Sequence, residues 1–98
     1  MNLASCTEAI RTKTGTDSGL DASVRFDCGP EGSIYIDGKK APNSVSNSTG
    51  EADCTVSISI EDLTALLNGE LDPATGFMTG RLRVAGDMGV AMRLQSVI

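Results

Sequence analysis

The chain has 98 residues, 40% of them hydrophobic and 21% charged, a balance too apolar for a disordered segment and a length that holds one modest core, so a single domain over residues 1–98 is expected. A formal charge of -5 excludes the concentrated cationic surface on which nucleic-acid recognition depends. Histidine and tryptophan are absent and Phe26, Tyr35 and Phe77 are the only aromatic residues, so flexible aliphatic and thioether side chains must fill the interior.

Leu3, Cys6 and Ile10 recur at near-helical spacing, and Ser5 followed by Glu8 has the form of a capping box, which predicts a short amphipathic helix at the start of the chain. The glycines and small polar residues of TKTGTDSGLD, residues 12–21, predict its end. Period two then takes over in residues 22–28, with Val24, Phe26 and Cys28 on one face and Arg25 and Asp27 on the other, the pattern of a half-buried strand. Gly29, Pro30, Glu31 and Gly32 predict a turn, and residues 33–37 a partner strand with Ile34 and Ile36 inward, making a hairpin.

In KKAPNSVSNSTGE, residues 39–51, Val45 marks a short edge strand, and NST at residues 47–49 reads as a polar loop. Ala52, Cys54, Val56, Ile58 and Ile60 alternate with Asp53, Thr55, Ser57 and Ser59, which predicts a nine-residue strand placed centrally in the sheet. Ser59, with Asp62 three residues on, predicts the cap of a second helix whose stripe is Leu63, Leu66 and Leu67 and which Gly69 stops. LDPATGF, residues 71–77, reads as a turn or single helical turn around Pro73. A last strand points Leu82 and Val84 inward, with Arg81 and Arg83 on its solvated face; Gly86 ends it and Asp87 opens the final helix.

That helix is unusually apolar. At about 100° per residue, Met88, Val90, Ala91, Met92, Leu94, Val97 and Ile98 cover an arc of roughly 220°, about twice what a surface helix needs, leaving Gly89, Arg93 and Ser96 for water. One side can lie on the sheet, and the rest must meet other helices, a second subunit or an apolar ligand. Gln95 falls inside the arc, where an amide needs a partner: a backbone carbonyl or the polar end of a lipid. The methionines at helical spacing serve either as core filler or as binding surface.

Cys6, Cys28 and Cys54 lack the paired C-x-x-C spacing of metal and redox sites, and are expected to be reduced, buried and without metal. Without histidine no Ser, Thr or Cys has an evident base, and GTDSG, residues 15–19, lacks the lysine of a phosphate loop. Neither catalytic residues nor a cofactor are expected. The first ten residues have no basic start or long apolar run, and no later stretch is long enough to cross a bilayer, which predicts a cytoplasmic protein with at most transient membrane contact.

EADCTVSISIEDLTALLNGELDPATGFMTGRLRVAGDMGVAMRLQ, residues 51–95, resembles the C-terminal half of the sterol carrier protein type two domain, a lipid-transfer module found alone or fused to peroxisomal enzymes. The likeness runs through the ADCT strand, an acidic-capped helix ending at Gly69, Phe77, the GRLRVAGDMG strand and turn, and the AMRLQ helix. It implies an α+β domain with a five-stranded, mostly antiparallel sheet, helices packed on one face, and an apolar tunnel that takes fatty acids, acyl-CoAs, sterols or isoprenoid lipids. By position, the resemblance puts Ile58, Leu66, Leu67, Phe77, Met78, Leu82, Met88, Met92 and Gln95 on the tunnel wall. The short amino-terminal region, the tail QSVI and the lack of a partner domain liken the chain to free-standing members of bacterial type.

An empty apolar cavity of about 300 Å³ costs roughly 7 kcal/mol, comparable with the stability of a whole domain. Either a lipid fills such a space, or the last helix moves inward on Gly86 and Gly89. The competing reading is a protein-interaction or enzyme-accessory module that uses the apolar final helix.

Overall fold

The computed structural model describes residues 2–15, 19–39 and 43–95. In chain order these form α1 (Leu3–Thr14), β1 (Ser23–Asp27), a 3-10 turn (Gly29–Glu31), β2 (Ser33–Asp37), β3 (Ser44–Ser46), β4 (Cys54–Ile58), α2 (Ile60–Leu67), α3 (Pro73–Met78), β5 (Leu82–Gly86) and α4 (Met88–Gln95). The strands make one five-stranded sheet in the order β3-β2-β1-β4-β5, and with the helices the fold is α+β. β1 and β4 run parallel and every other pair is antiparallel. The hairpin of β1 and β2 and the edge strand at Val45 are both present.

Register converts the period-two pattern into a continuous inner face. Val45, Ile36, Val24, Cys54 and Gly86 form one row across the five strands, and Ile34, Phe26, Val56 and Val84 form the next. The first row ends in glycine for a steric reason: a Cβ on Gly86 would lie 2.4 Å from the Asp53 carbonyl oxygen, and its φ is +97°. On the outer face the loop before β4 is drawn down, because Arg25 donates to the Thr49 carbonyl (3.1 Å) and the Tyr35 hydroxyl to that of Glu51 (3.0 Å). The helices therefore occupy the inner face. α1 packs on α2, β2 and β3, while α3 lies against β5, and α4 against β4 and β5.

Several local expectations change. Asn2, not Ser5, caps α1, its Oδ1 accepting from the Ser5 N–H at 2.9 Å, and Glu8 pairs with Arg11 instead of reaching back to a cap. The helix continues to Thr14, with the Thr12 and Thr14 hydroxyls donating to the carbonyls of Glu8 and Arg11; Gly15, with φ 59°, ends it. The nine-residue strand is five residues long: the Ser59 side chain accepts from the Asp62 N–H at 3.1 Å, so helix begins at Ile60 and strand character stops at Ile58. β4 is interior, between β1 and β5, and β1 holds the centre. Val97 and Ile98 of the predicted apolar arc, and Ser96 of its wet side, lie outside the described residues.

One junction fixes where α4 begins. Asp53 Oδ2 accepts from the Ser23 N–H (3.0 Å), the Asp53 N–H donates to Ser23 Oγ (3.0 Å), and the Asp53 carbonyl accepts from the Asp87 N–H (2.9 Å). Lys39 Nζ adds an ion pair at 3.4 Å. The Ser23 N–H above all holds the Asp53 carboxyl below its ordinary pKa; burial, the next largest effect, opposes it, and Lys39 adds to the lowering.

Candidate functional site, an apolar groove between two short helices

α3 and α4 stand apart over the β4–β5 side of the sheet, and the space between them is a groove of about 200 Å³. Its floor is the inner face of three strands: Phe26 of β1, Val56 of β4, and Leu82 and Val84 of β5. Phe26, Val56 and Leu82 are buried, so the floor belongs to the core itself. Leu66 closes the back from α2.

The α3 wall follows from helical spacing. Asp72 caps the helix by accepting from the Thr75 N–H (3.1 Å), Pro73 occupies the first turn where no N–H is needed, and Pro73, Ala74, Phe77 and Met78 then share one face toward the groove. α3 can sit close to β5 because Gly76 is buried against it; a Cβ there would lie 3.2 Å from Leu82 Cδ2. Across the groove, Val90 and Leu94 anchor α4 in the core. Met88, Ala91, Met92 and Gln95 occupy the neighbouring stripe, with Leu94 reaching the groove from below.

The rim is exposed. Met78 is 84% accessible, Met92 70%, and Phe77 and Met88 49% each. Gln95 supplies the only side-chain amide of the lining and is itself exposed; no described residue bonds it, so the buried amide expected from the helical wheel is a surface amide at the groove. Elsewhere the cations are engaged or solvated: Arg81 grips Asp62 Oδ1 through Nε (3.1 Å) and Nη2 (2.8 Å), tying the start of β5 to α2.

Seven of the nine residues predicted for the site line this groove: Leu66, Phe77, Met78, Leu82, Met88, Met92 and Gln95. Ile58 and Leu67 do not. Ile58 sits opposite Leu82 at the end of β4 and borders a separate shallow depression with Asp27, Ser57 and Arg83, while Leu67 follows Leu66 on α2 and is turned into the core. Sequence reasoning missed Phe26, Val56, Val84, Pro73, Ala74, Ala91 and Leu94. The signal for two of them was present, since Pro73 and Ala74 precede Phe77 by four and three residues.

The three cysteines are free and buried. Burial pushes the Cys28 thiol up to about 11, and burial together with the Asp87 charge raises that of Cys54, so neither is a ready nucleophile. Among the described residues no group of His, Cys, Asp or Glu side chains could hold a metal ion, and no helix is long and apolar enough to cross a membrane. What this arrangement offers chemically is apolar surface, adjustable thioethers and one amide.

The profile of the SCP-2 sterol transfer family matches residues 12–98. Sterol carrier protein 2 of Gallus gallus is 41% identical over 70 residues, 70% of this chain and 13% of the length of that relative. Among solved structures, Sterol Carrier Protein 2 Like 2 from Aedes aegypti superposes with a TM-score of 0.79 at 18% identity, covering 98% of this chain and 95% of that one. The solution structure of palmitated SCP2L2 from the same organism gives 0.74 at 20% identity, over 99% and 94% of the two chains. With a family profile spanning most of its length and a five-stranded α+β sheet that superposes on these proteins, the chain belongs to the SCP-2 sterol transfer family.

Proposed function

We propose that this chain binds a hydrophobic ligand non-catalytically in the groove between α3 and α4 and transfers it, the ligand being a fatty acid, an acyl-CoA or a sterol-like or isoprenoid lipid. The observation that carries the reading is the groove itself: an apolar floor of core residues, two helical walls with methionines at the rim, and the Gln95 amide as the one polar side chain of the described lining. Family membership supports lipid transfer as the activity, and the palmitated Aedes aegypti protein supports a single acyl chain as a cargo of suitable shape. Ile58 and Leu67 are not part of the proposed site; Phe26, Val56, Val84 and Ala91 are.

Native mass spectrometry of freshly purified protein, followed by titration with a fluorescent fatty acid, tests this. The expected result is a co-purifying lipid mass and saturable uptake. Ala91→Phe places a ring in the groove from a half-buried position on α4, and should weaken uptake by about tenfold or more while the fold persists. Absence of uptake of fatty, sterol and isoprenoid probes alike overturns the reading.

A further inference from the structure

We propose that the open edge of β5 pairs with β5 of a second copy of this chain, antiparallel about a two-fold axis at Val84, so that one continuous sheet runs through both molecules. The proposal goes beyond the carrier reading and does not rest on it.

Backbone parity identifies the groups that β5 leaves free. The Asp53 carbonyl accepts from the Asp87 N–H, and bonded pairs recur every second residue of an antiparallel ladder, so Thr55 bonds Ala85 and Ser57 bonds Arg83. The N–H and C=O groups of Leu82, Val84 and Gly86 therefore point away from β4, off the end of the sheet. At the middle of the strand, both backbone groups of Val84 are unpaired among the described residues.

The opposite edge shows how this chain closes a strand. Counting from the Gly38 N–H on the Ala22 carbonyl, Val24 bonds Ile36, so Tyr35 and Asp37 face β3 and Val45 is the outward residue there. Its carbonyl accepts from Arg11 Nη2 at 2.7 Å, and α1 packs alongside. β3 is also only three residues long, whereas β5 has five, with neither proline nor lysine and with Leu82, Val84 and Gly86 on its inner face. Short length, proline, lysine and inward charge are the usual guards of an edge, and β5 has none of them.

The free edge is complementary to itself. With Val84 opposite Val84, the outward groups of the two copies face each other, and Leu82 stands opposite Gly86, which has no side chain to crowd it. Charge selects the antiparallel sense. β5 is preceded by Arg81, contains Arg83 and is followed by Asp87, so antiparallel pairing lays the basic start of one strand beside the acidic end of the other, and the symmetry makes that contact twice. Arg83 has no ion-pair partner among the described residues. An acidic peptide from another protein would satisfy the arginines but leave Asp87 without a cation. Five residues of strand bury less than the roughly 1,200 Å² of a stable interface, so the expected dimer is weak, with a Kd on the order of 100 µM.

Sedimentation velocity and proton–nitrogen NMR of the purified protein, from about 10 µM to about 1 mM, test the proposal. The wild type should pass from monomer to dimer over this range, with concentration-dependent amide shifts centred on Val84. The Val84 amide, unpaired in the monomer, should exchange several-fold more slowly at the higher concentration. Arg83→Glu should weaken association by about fivefold, and Lys13→Glu on α1 should leave it unchanged. Val84→Pro should abolish association and keep the wild-type circular dichroism, because the N–H it removes faces away from β4. Should that variant fail to fold, Arg83→Glu and the wild-type amide shifts decide the matter. A monomer at the highest concentration overturns the proposal, as does association of Arg83→Glu equal to that of the wild type. So does a dimer whose shifts centre on Met78 and Met92 at the groove and leave Val84 unmoved.

Discussion

Gly86 shows how one residue governs the geometry of the groove. Its φ of +97° is costly for any side chain, and a Cβ would press to 2.4 Å on the very carbonyl, that of Asp53, which receives the Asp87 N–H and starts α4. Strain and contact therefore add at this position. Gly80 is the natural control, since its φ is +76° but nothing lies within 4 Å of where a Cβ would stand. Gly80→Ala should cost about 1 kcal/mol through backbone strain alone, and Gly86→Ala about 3 kcal/mol, with ligand uptake impaired only in the latter because only there must α4 shift. Urea denaturation of both variants, read beside fatty-acid titration, checks this; equal costs would show that the Asp53 contact carries no weight.

At the scale of elements, the Asp53 junction joins the start of β1, the loop before β4 and the start of α4 through one residue, its carboxylate and N–H meeting Ser23 and its carbonyl the Asp87 N–H. Its carboxyl pKa is lowered in the folded state, so the group favours folding above the unfolded value and loses that contribution as pH falls through the folded value. Asp53→Asn keeps an acceptor for the Ser23 N–H but no charge. The melting temperature of the wild type should exceed that of the variant by a constant margin above about pH 5, and the margin should close as pH drops below about 4. A margin that persists unchanged into acid would mean the junction works by shape alone. None of this was legible in the sequence, where Asp53 is simply a polar position in an alternating run. The alternation did reveal which side of each strand faces inward, because Val24, Phe26, Val56 and Val84 obey period two. It could not reveal that β1 and β4 pair in parallel across a separation of thirty residues, Val24 to Cys54, nor where α3 and α4 would leave the floor uncovered. Hence the floor residues Phe26 and Val56 were read only as core, and of the nine wall positions carried over by resemblance Leu82 was the one strand residue that reaches the groove. Capping failed in the opposite way: Ser5 and Glu8 had the right spacing, but Asn2 lies one turn earlier and accepts from the N–H of Ser5 itself.

For the molecule as a whole, the two halves of the inner face are held differently. α1 and α2 pack against each other and against the sheet, whereas α3 and α4 each rest on the edge half and turn their facing surfaces to the groove. The groove opens to solvent, so its roughly 200 Å³ does not carry the full penalty of a sealed cavity; the cost appears instead as exposed methionine and phenylalanine surface. A ligand that covers this surface binds the folded state and not the unfolded one, and must raise stability by about 2.7 kcal/mol at a hundredfold excess over its Kd. For a domain of this size that is a rise in melting temperature of roughly 10–20 °C. The gain should also be distributed unevenly. Because the groove is lined from α3, α4 and β5, with Phe26 of β1, Val56 of β4 and Leu66 of α2, and not from α1, β2 or β3, amide exchange under native conditions should slow in α3, α4 and β5 when palmitate is added, by a larger factor than in α1, β2 or β3. A uniform slowing would mean that exchange proceeds by whole-molecule unfolding and that α4 is no looser than the rest. No change in either melting temperature or exchange, with palmitate in excess, would remove the groove as the site of binding.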